Sequence, residues 1–375
     1  MRLSDELEPD AGVRDAHGFP VPRNLVSKYR SLQTRAKPAS AANWPELLSQ
    51  ARKKSYRAGG PLPPKFVAAV SEGIPSEHRA TAWLLLSGAE EHKNAQPQLY
   101  ERLATQGVPA KVEEAIDLDV RRTFPEHKRL TPEFCARMRR VLIAYARRNP
   151  EVAYCQGMNF IAAALLLFTA DGPAGEEQAF WLLAHVVEEI LPDHYVQSMI
   201  GHTVDRQVTE QLVELHLPAL SQHLRQLSLS MPFVTTQWFL CLFVSSLPSE
   251  TSFRLVMHST LTTTPSHPIR QLIRVPSCPP PLADAHCLHS PPHPFASHPF
   301  ASTRLRRAYT PPHPMLSSQW DLIFCHDPTW TFRASLALFA TMEAQELLDA
   351  TDLGSAVFVI KSVSLAAFDA TAIIG

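Results

Sequence analysis

Hydrophobic positions along this chain recur mostly at helical spacing, and the pattern is clearest between residues 131 and 168. Thr131-Pro132 is a helix start, with Thr as N-cap and Pro at the first helical position, where its missing N–H does no harm. Phe134, Met138, Val141, Leu142 and Tyr145 then fall on one face, while Arg137, Arg139, Arg140, Arg147 and Arg148 lie mostly off it and read as a solvated face. Asn149-Pro150 ends that helix. From Met158 to Phe168 the chain reads as apolar on all sides, and at roughly a dozen residues it is too short to cross a bilayer, so it is predicted to be a central core helix. Gly157 lets the backbone turn just before it.

Weaker stripes flank this pair. Upstream, Trp44 to Lys54 predicts a short helix with Trp44, Leu47 and Leu48 on one side, packing on the first core helix, and Gly59-Gly60-Pro61-Leu62-Pro63-Pro64 reads as a linker. Phe66, Val67 and Val70 lead into a Gly73-Ile74-Pro75 turn, after which Arg79 and Trp83 share a helix face, Arg79 in a structural role. Downstream, Phe180, Leu183, Ala184, Val187 and Leu191 form a stripe with Glu176 and Glu177 in the first turn, where the helix dipole favours acids. Further helices are predicted from Val204, Val208, Leu212 and Leu215, from Leu220, His223, Leu224 and Leu227, and across Thr236 to Leu247. No segment shows sustained alternation, so the predicted fold class is all-α.

Two regions interrupt the code. Residues 1–64 read as a largely disordered leader around the short helix near 44–54, because residues 1 to about 40 are charged, proline-interrupted and poor in aromatics. Met257 to Gln319 holds 13 of the 33 prolines and 7 of the 17 histidines, with no glycine, no lysine and one acid, Asp284, so it cannot continue a helix. Helical spacing resumes at Trp320 and runs through Phe332, Leu336, Phe339 and Met342. The predicted organisation is therefore a main part over 65–256, a low-complexity insert over 257–319, a continuation over 320–356 and an atypical apolar tail over 357–375 with an incomplete last helix. The insert is a retained intron, a gene-model error or a genuine variant loop, and spliced transcripts sequenced across the junction distinguish these.

Composition narrows the function classes. The net charge of −1 leaves no domain-wide basic excess for nucleic acid. Cys135, Cys155, Cys241, Cys278, Cys287 and Cys325 show no C-x-x-C pairing and read as reduced cytosolic thiols. His286, Cys287, His289, His293 and His298 include an H-x-x-x-H spacing, but low-complexity bias is the simpler cause than zinc. There is no G-x-x-x-x-G-K-[ST] loop, no H-E-x-x-H and no G-x-S-x-G, and no signal peptide or spanning segment is predicted.

Three blocks carry a resemblance. Gly73-Ile74-Pro75-x-x-x-Arg79-x-x-x-Trp83, Ile116-x-x-Asp119-x-x-Arg122-Thr123 and Tyr154-Cys155-Gln156-Gly157 are similar to the motifs of the TBC domain, the catalytic module of Rab GTPase-activating proteins. With the insert excised, Phe253-Arg254-Leu255-Val256 joins Trp320-Asp321-Leu322 and the join resembles that family's R-x-W-D segment. The resemblance implies an interrupted TBC helical fold and a dual-finger mechanism: Arg122 matches the arginine finger and Gln156 the glutamine finger, delivered in trans to a GTP-bound Rab-family GTPase that carries its own Mg-GTP. It implies no cofactor or metal of the chain's own, a role in vesicle trafficking, and a cytoplasmic protein recruited to endomembranes through the partner's lipid anchor. Asp119, Thr123 and Tyr154 match motif positions as supports for the finger loop, with Gly157 beside them. Taken alone, Arg122 is an i,i+3 ion-pair partner of Asp119 on a surface turn, and Gln156 a solvated turn residue. A catalytically inactive Rab-binding module or adaptor is the alternative.

Overall fold

The computed structural model describes residues 9–35, 42–53, 63–249, 252, 330–344 and 347–366. Helices dominate them. In chain order they are α1 (Val26–Arg35), α2 (Trp44–Lys53), α3 (Pro64–Glu72), α4 (Ser76–Ser87), α5 (Ala89–Ala95), α6 (Leu99–Ala104), α7 (Ala110–Arg122), α8 (Pro132–Arg148), α9 (Met158–Phe168), α10 (Pro173–His185), α11 (Ile200–His216), α12 (Pro218–Gln226), α13 (Met231–Leu240), α14 (Trp330–Ala344) and α15 (Leu353–Ala366). A π-helical turn, Val186–Ile190, extends α10. The insert over 257–319, its flanking join at Phe253 to Leu322 and the histidine cluster from His286 to His298 lie outside the described residues.

Helix α9 is the centre. Met158, Ile161, Ala162, Ala163, Ala164, Leu165 and Leu166 are wholly buried. A helix apolar on every face must be surrounded, and α4, α7, α8 and α10 pack around it. Only Asn159 departs from that pattern: it is polar and 1% exposed.

Helix α8 begins as its sequence dictates, with Thr131 Oγ1 accepting the Phe134 N–H at 3.3 Å, and stops at Asn149. Apart from Arg147, which is exposed, its arginines are ion-paired instead of forming the expected solvated face. Arg137 is 3% exposed and donates to Asp171 Oδ1 at 2.5 Å and to the Ala170 carbonyl at 2.7 Å. Arg140 donates to Glu176 Oε1 at 2.7 Å, Arg148 to Glu188 Oε1 at 2.9 Å, and Arg139 to Asp117 Oδ1 at 2.5 Å and to Glu113. An arginine-rich strip that faces acids on three neighbouring segments is ion-paired across the packing seams, which the spacing within one helix cannot reveal.

The leader departs most from expectation. Residues Pro9–Arg14 (β1) and Pro20–Pro22 (β2) form an antiparallel hairpin, followed by a 3-10 turn at Arg23–Leu25 and by α1. Val21, Leu25 and Tyr29 make a small second core, with Leu365 and Ala366 of α15 packed against it. The expected tail boundary at residue 356 falls inside α15, whose Ala356, Ile360 and Val363 are buried, so part of the apolar tail is a docked helix. Each end gives the other an apolar face to cover, a long-range pairing that local composition does not encode.

Two helices are shifted from their predicted form. In α11 the inward face carries His202, Thr209 and Val213, while Val204 is 47% and Leu215 68% exposed. On the inner face His202 Nε2 lies 3.3 Å from Thr236 Oγ1 and Thr209 Oγ1 donates to the Asp205 carbonyl at 2.9 Å, while His202 Nδ1 is buried without a hydrogen-bond partner among the described residues. The helix predicted over Thr236 to Leu247 instead spans Met231–Leu240, and the chain then turns through left-handed Leu242 and Phe243. The short helix within the leader is close to its prediction, with Trp44 buried against Phe66 of α3 and stacked 6.2 Å from His78 of α4. Arg79 is buried, with its guanidinium 5.0 Å from the Phe168 ring centroid.

Candidate functional site

Arg122 and Gln156 sit on different segments, and neither is enclosed. Where a surface turn is expected at Arg122 the chain is helical: Arg122 is the last residue of α7, ahead of Thr123 in extended conformation. Its side chain is 52% exposed and pairs with Asp119 Oδ1 at 2.5 Å, one turn back on the same helix. Gln156 is exposed in the short loop between α8 and α9. A guanidinium has the planar fork that meets phosphate oxygens two at a time, and a neutral carboxamide can both accept from water and donate to an oxyanion.

What joins the two segments is a short ladder of polar side chains. Asp119 is 4% exposed, and while Oδ1 meets Arg122, its Oδ2 accepts the Tyr154 hydroxyl at 2.6 Å. Below that rung, Thr123 Oγ1 donates to the Asp119 carbonyl and accepts from Asn159 Nδ2, both at 2.7 Å. Asn159 Oδ1 in turn accepts the Gly157 N–H at 3.0 Å. The helix end carrying Arg122 and the loop carrying Gln156 are therefore cross-linked twice, once through Tyr154 and once through Asn159. Asp119, Thr123, Tyr154 and Gly157 all lie in this ladder.

Asn159 was not among the predicted site residues. Its signal in the sequence is that it is the one amide in an otherwise apolar run, which burial without partners would penalise by a few kcal/mol. The structure also adds Phe124, which follows the motif in a left-handed conformation (φ 42°) with its ring 5.1 Å from that of Phe160 on α9.

Gly157 is required twice over. Its φ of +110° is one that side-chain-bearing residues rarely adopt, and a Cβ there would lie 2.8 Å from the Leu240 carbonyl oxygen. Burial, followed by the hydrogen bond to Asp119, pushes the Tyr154 hydroxyl far above its ordinary value, so it stays a donor. Burial and then the Asp119 charge also push the Cys155 thiol up, away from thiolate chemistry. Cys135, Cys155 and Cys241 are free, and among the described residues no group of three or more His, Cys, Asp or Glu is placed to hold a metal.

A family model described as the Rab-GTPase-TBC domain matches residues 76–269. The chain belongs to that family. Among its relatives, growth hormone-regulated TBC protein 1 of Xenopus laevis is 35% identical over 271 residues, 68% of this chain and 75% of that protein. The human protein of that name is 36% identical over 64% of this chain and 71% of its own length. Among solved structures, the Chlamydomonas flagellar RabGAP TBC domain superposes with a TM-score of 0.64 at 24% identity, covering 96% of this chain and 97% of that one. The Ypt/Rab-GAP domain of Gyp1p gives 0.59 at 14% identity over 89% and 96%. The all-helical TBC fold expected from the three blocks is thus the observed one. Both the 116–123 and the 154–157 segments lie inside the matched range of this TBC domain, whereas the hairpin over residues 9–22 lies outside it. Among the described residues no helix is long and apolar enough to cross a membrane.

Proposed function

We propose that this TBC domain accelerates GTP hydrolysis by a Rab-family small GTPase, with Arg122 and Gln156 entering the partner's nucleotide site together. The observation that carries the reading is the shared carboxylate of Asp119, which holds Arg122 on one oxygen and Tyr154, two residues before Gln156, on the other. Two exposed side chains of the required chemistry are thereby presented from one braced surface. Mg²⁺ and GTP belong to the partner, and the chain itself lacks a phosphate-binding loop of the P-loop type.

In this mechanism Arg122 leaves Asp119 and meets the oxygens of the transferring phosphoryl group. Arg122 is the solvated member of that pair, and after it leaves, the buried Asp119 carboxylate still accepts the Tyr154 hydroxyl. An arginine supplied in trans is worth about 10³ to 10⁵ in rate, or roughly 4 to 7 kcal/mol of barrier. Gln156 orients the attacking water through its carbonyl oxygen and contacts phosphate through its amide. When Arg122 departs, Asp119 keeps the Tyr154 hydroxyl, so the glutamine-bearing loop does not drift as the arginine moves. A GTP-bound Rab at an endomembrane is the partner this implies.

Single-turnover phosphate release from a panel of GTP-loaded Rab proteins tests the reading. Stimulation by the chain that Arg122→Ala and Gln156→Ala each abolish supports it. Binding of a loaded Rab without any stimulation would mean a binding module instead.

A further inference from the structure

We propose that the N-terminal hairpin, outside the matched TBC range, is a positioning strap for the arginine-bearing segment, with Arg14, His17 and Phe19 setting the backbone that follows Arg122. This inference rests on the function proposed above for Arg122.

The hairpin turn is itself rigid. Asp15 Oδ1 accepts the N–H groups of His17 and Phe19 at 3.0 and 2.8 Å, while Asp15 Oδ2 accepts the Ser249 hydroxyl at 2.5 Å, anchoring the turn to the segment after α13. From this base four contacts reach residues 124–127. Arg14 Nη1 donates to the Glu126 carbonyl at 2.6 Å. The Phe19 ring meets Phe124 edge-on at 4.9 Å and His127 at 4.5 Å. His127 Nε2 lies 3.0 Å from the His17 carbonyl, and its Nδ1 accepts the Arg129 N–H at 3.1 Å. Since Nδ1 accepts, the neutral ring carries its proton on Nε2 and donates it to His17, so both sides of the imidazole are committed.

Phe124 is the link to the finger. It is two residues beyond Arg122, is held at a positive φ that a bulky side chain adopts only under constraint, and has its ring between Phe19 of the hairpin and Phe160 of α9. Without Phe19 one of those two walls is missing, and the backbone at Phe124 can relax toward an ordinary conformation. That swings the end of α7, and a displacement of about 1 Å in a catalytic group can lower a rate by about 10². The strap thus acts on the rate of the assembled complex rather than on its formation.

The test uses the full chain and its Phe19→Ala and Phe19→Tyr variants with two readouts. In single-turnover hydrolysis by a Rab that the unaltered chain stimulates, Phe19→Ala is expected to lower the rate at saturating chain by about tenfold or more, with the half-saturating concentration changed less than about threefold, while Phe19→Tyr, which restores the ring, recovers the rate. Independently of any GTPase, amide exchange over residues 120–127 is expected to speed up in Phe19→Ala and to return toward normal in Phe19→Tyr. An unchanged saturating rate, a loss confined to the half-saturating concentration, or unchanged exchange over 120–127 overturns the strap. If Phe19→Ala loses its helical circular dichroism, Arg14→Met, which deletes the bond to Glu126, takes its place in both measurements, and the same results support or overturn the strap. An unaltered chain that stimulates no Rab defeats the GTPase-activating reading, while the exchange measurement still decides the strap.

Discussion

The Tyr154 hydroxyl donates to Asp119 Oδ2 at 2.6 Å across 35 residues of chain, and this bond ties the loop bearing Gln156 to the helix end bearing Arg122. Asp119 is buried and Tyr154 half-buried, so the bond is not exchanged for a solvent contact without loss. It also leaves the other carboxylate oxygen available to park Arg122. One buried acid therefore serves a static bond and a releasable one.

Tyr154→Phe removes the static bond and keeps the ring. Asp119 Oδ2 is then a buried acceptor without that donor, and the expected loss of stability is about 1–3 kcal/mol. Urea denaturation followed by circular dichroism measures it. In phosphate-release assays the same variant is expected to lower the saturating rate more than it weakens binding, because the glutamine loop loses a brace while its surface residues are unchanged.

Gly157→Ala meets an obstacle in both conformation and space. Alanine at φ +110° is strained, and its Cβ would press on the Leu240 backbone rather than on a side chain that could rotate away. A cost of about 1–3 kcal/mol is expected from the conformation alone. A shift in the thermal midpoint checks it, and an unshifted midpoint would show that the loop re-forms elsewhere.

Glu176 makes the domain sensitive to acid. Burial raises its pKa, but hydrogen bonds from Arg140 and Tyr100 outweigh burial and hold the carboxyl below its ordinary value of 4.5. A depressed carboxylate stabilises the fold above the unfolded value, and that stability is lost as pH falls below about 4.5 toward the folded pKa. Glu176→Gln is expected to cost about 1–3 kcal/mol at neutral pH, a moderate value because Arg140 is partly solvated, and to flatten the acid limb of a stability–pH curve.

His127 acts at milder pH. Burial lowers its pKa from 6.5, more than the His17 carbonyl and Asp15 raise it, with Arg129 and Arg14 nearby also lowering it. The folded state then binds fewer protons than the unfolded one just below 6.5, so stability declines as pH falls through that range and is regained as it rises. Urea midpoints at about pH 7.5 and about pH 5.5 are expected to differ less in His127→Gln, whose amide can still donate to His17 and accept from Arg129.

Several features were legible from local sequence for identifiable reasons. Thr131-Pro132 and Asn149-Pro150 bound α8 because capping and proline sterics act over a few residues, and α9 was legible because a run apolar but for Asn159 can only be surrounded. Arg122 and Gln156 stood out through motif spacing. Their setting did not: helical spacing in α7 extends through Arg122, and the partner of Asp119 beyond its own helix depends on a loop far along the chain. In α11, Val204 and Leu215 of the predicted stripe are exposed, while His202, Thr209 and Val213 face inward, a rotation that the neighbouring helices set and local spacing does not.

By itself, then, the order of amino acids determined the helical class, the central apolar helix, several helix ends and the residue types offered for chemistry, all consequences of interactions within a turn or two of backbone. Only the tertiary structure decided that the leader folds as a hairpin against residues 124–127, that the α8 arginines clamp neighbouring segments, and that Asp119 is shared between Arg122 and Tyr154. Those outcomes depend on groups separated by tens to more than a hundred positions, such as His17 and His127, and only the path of the whole chain brings such groups within hydrogen-bonding distance.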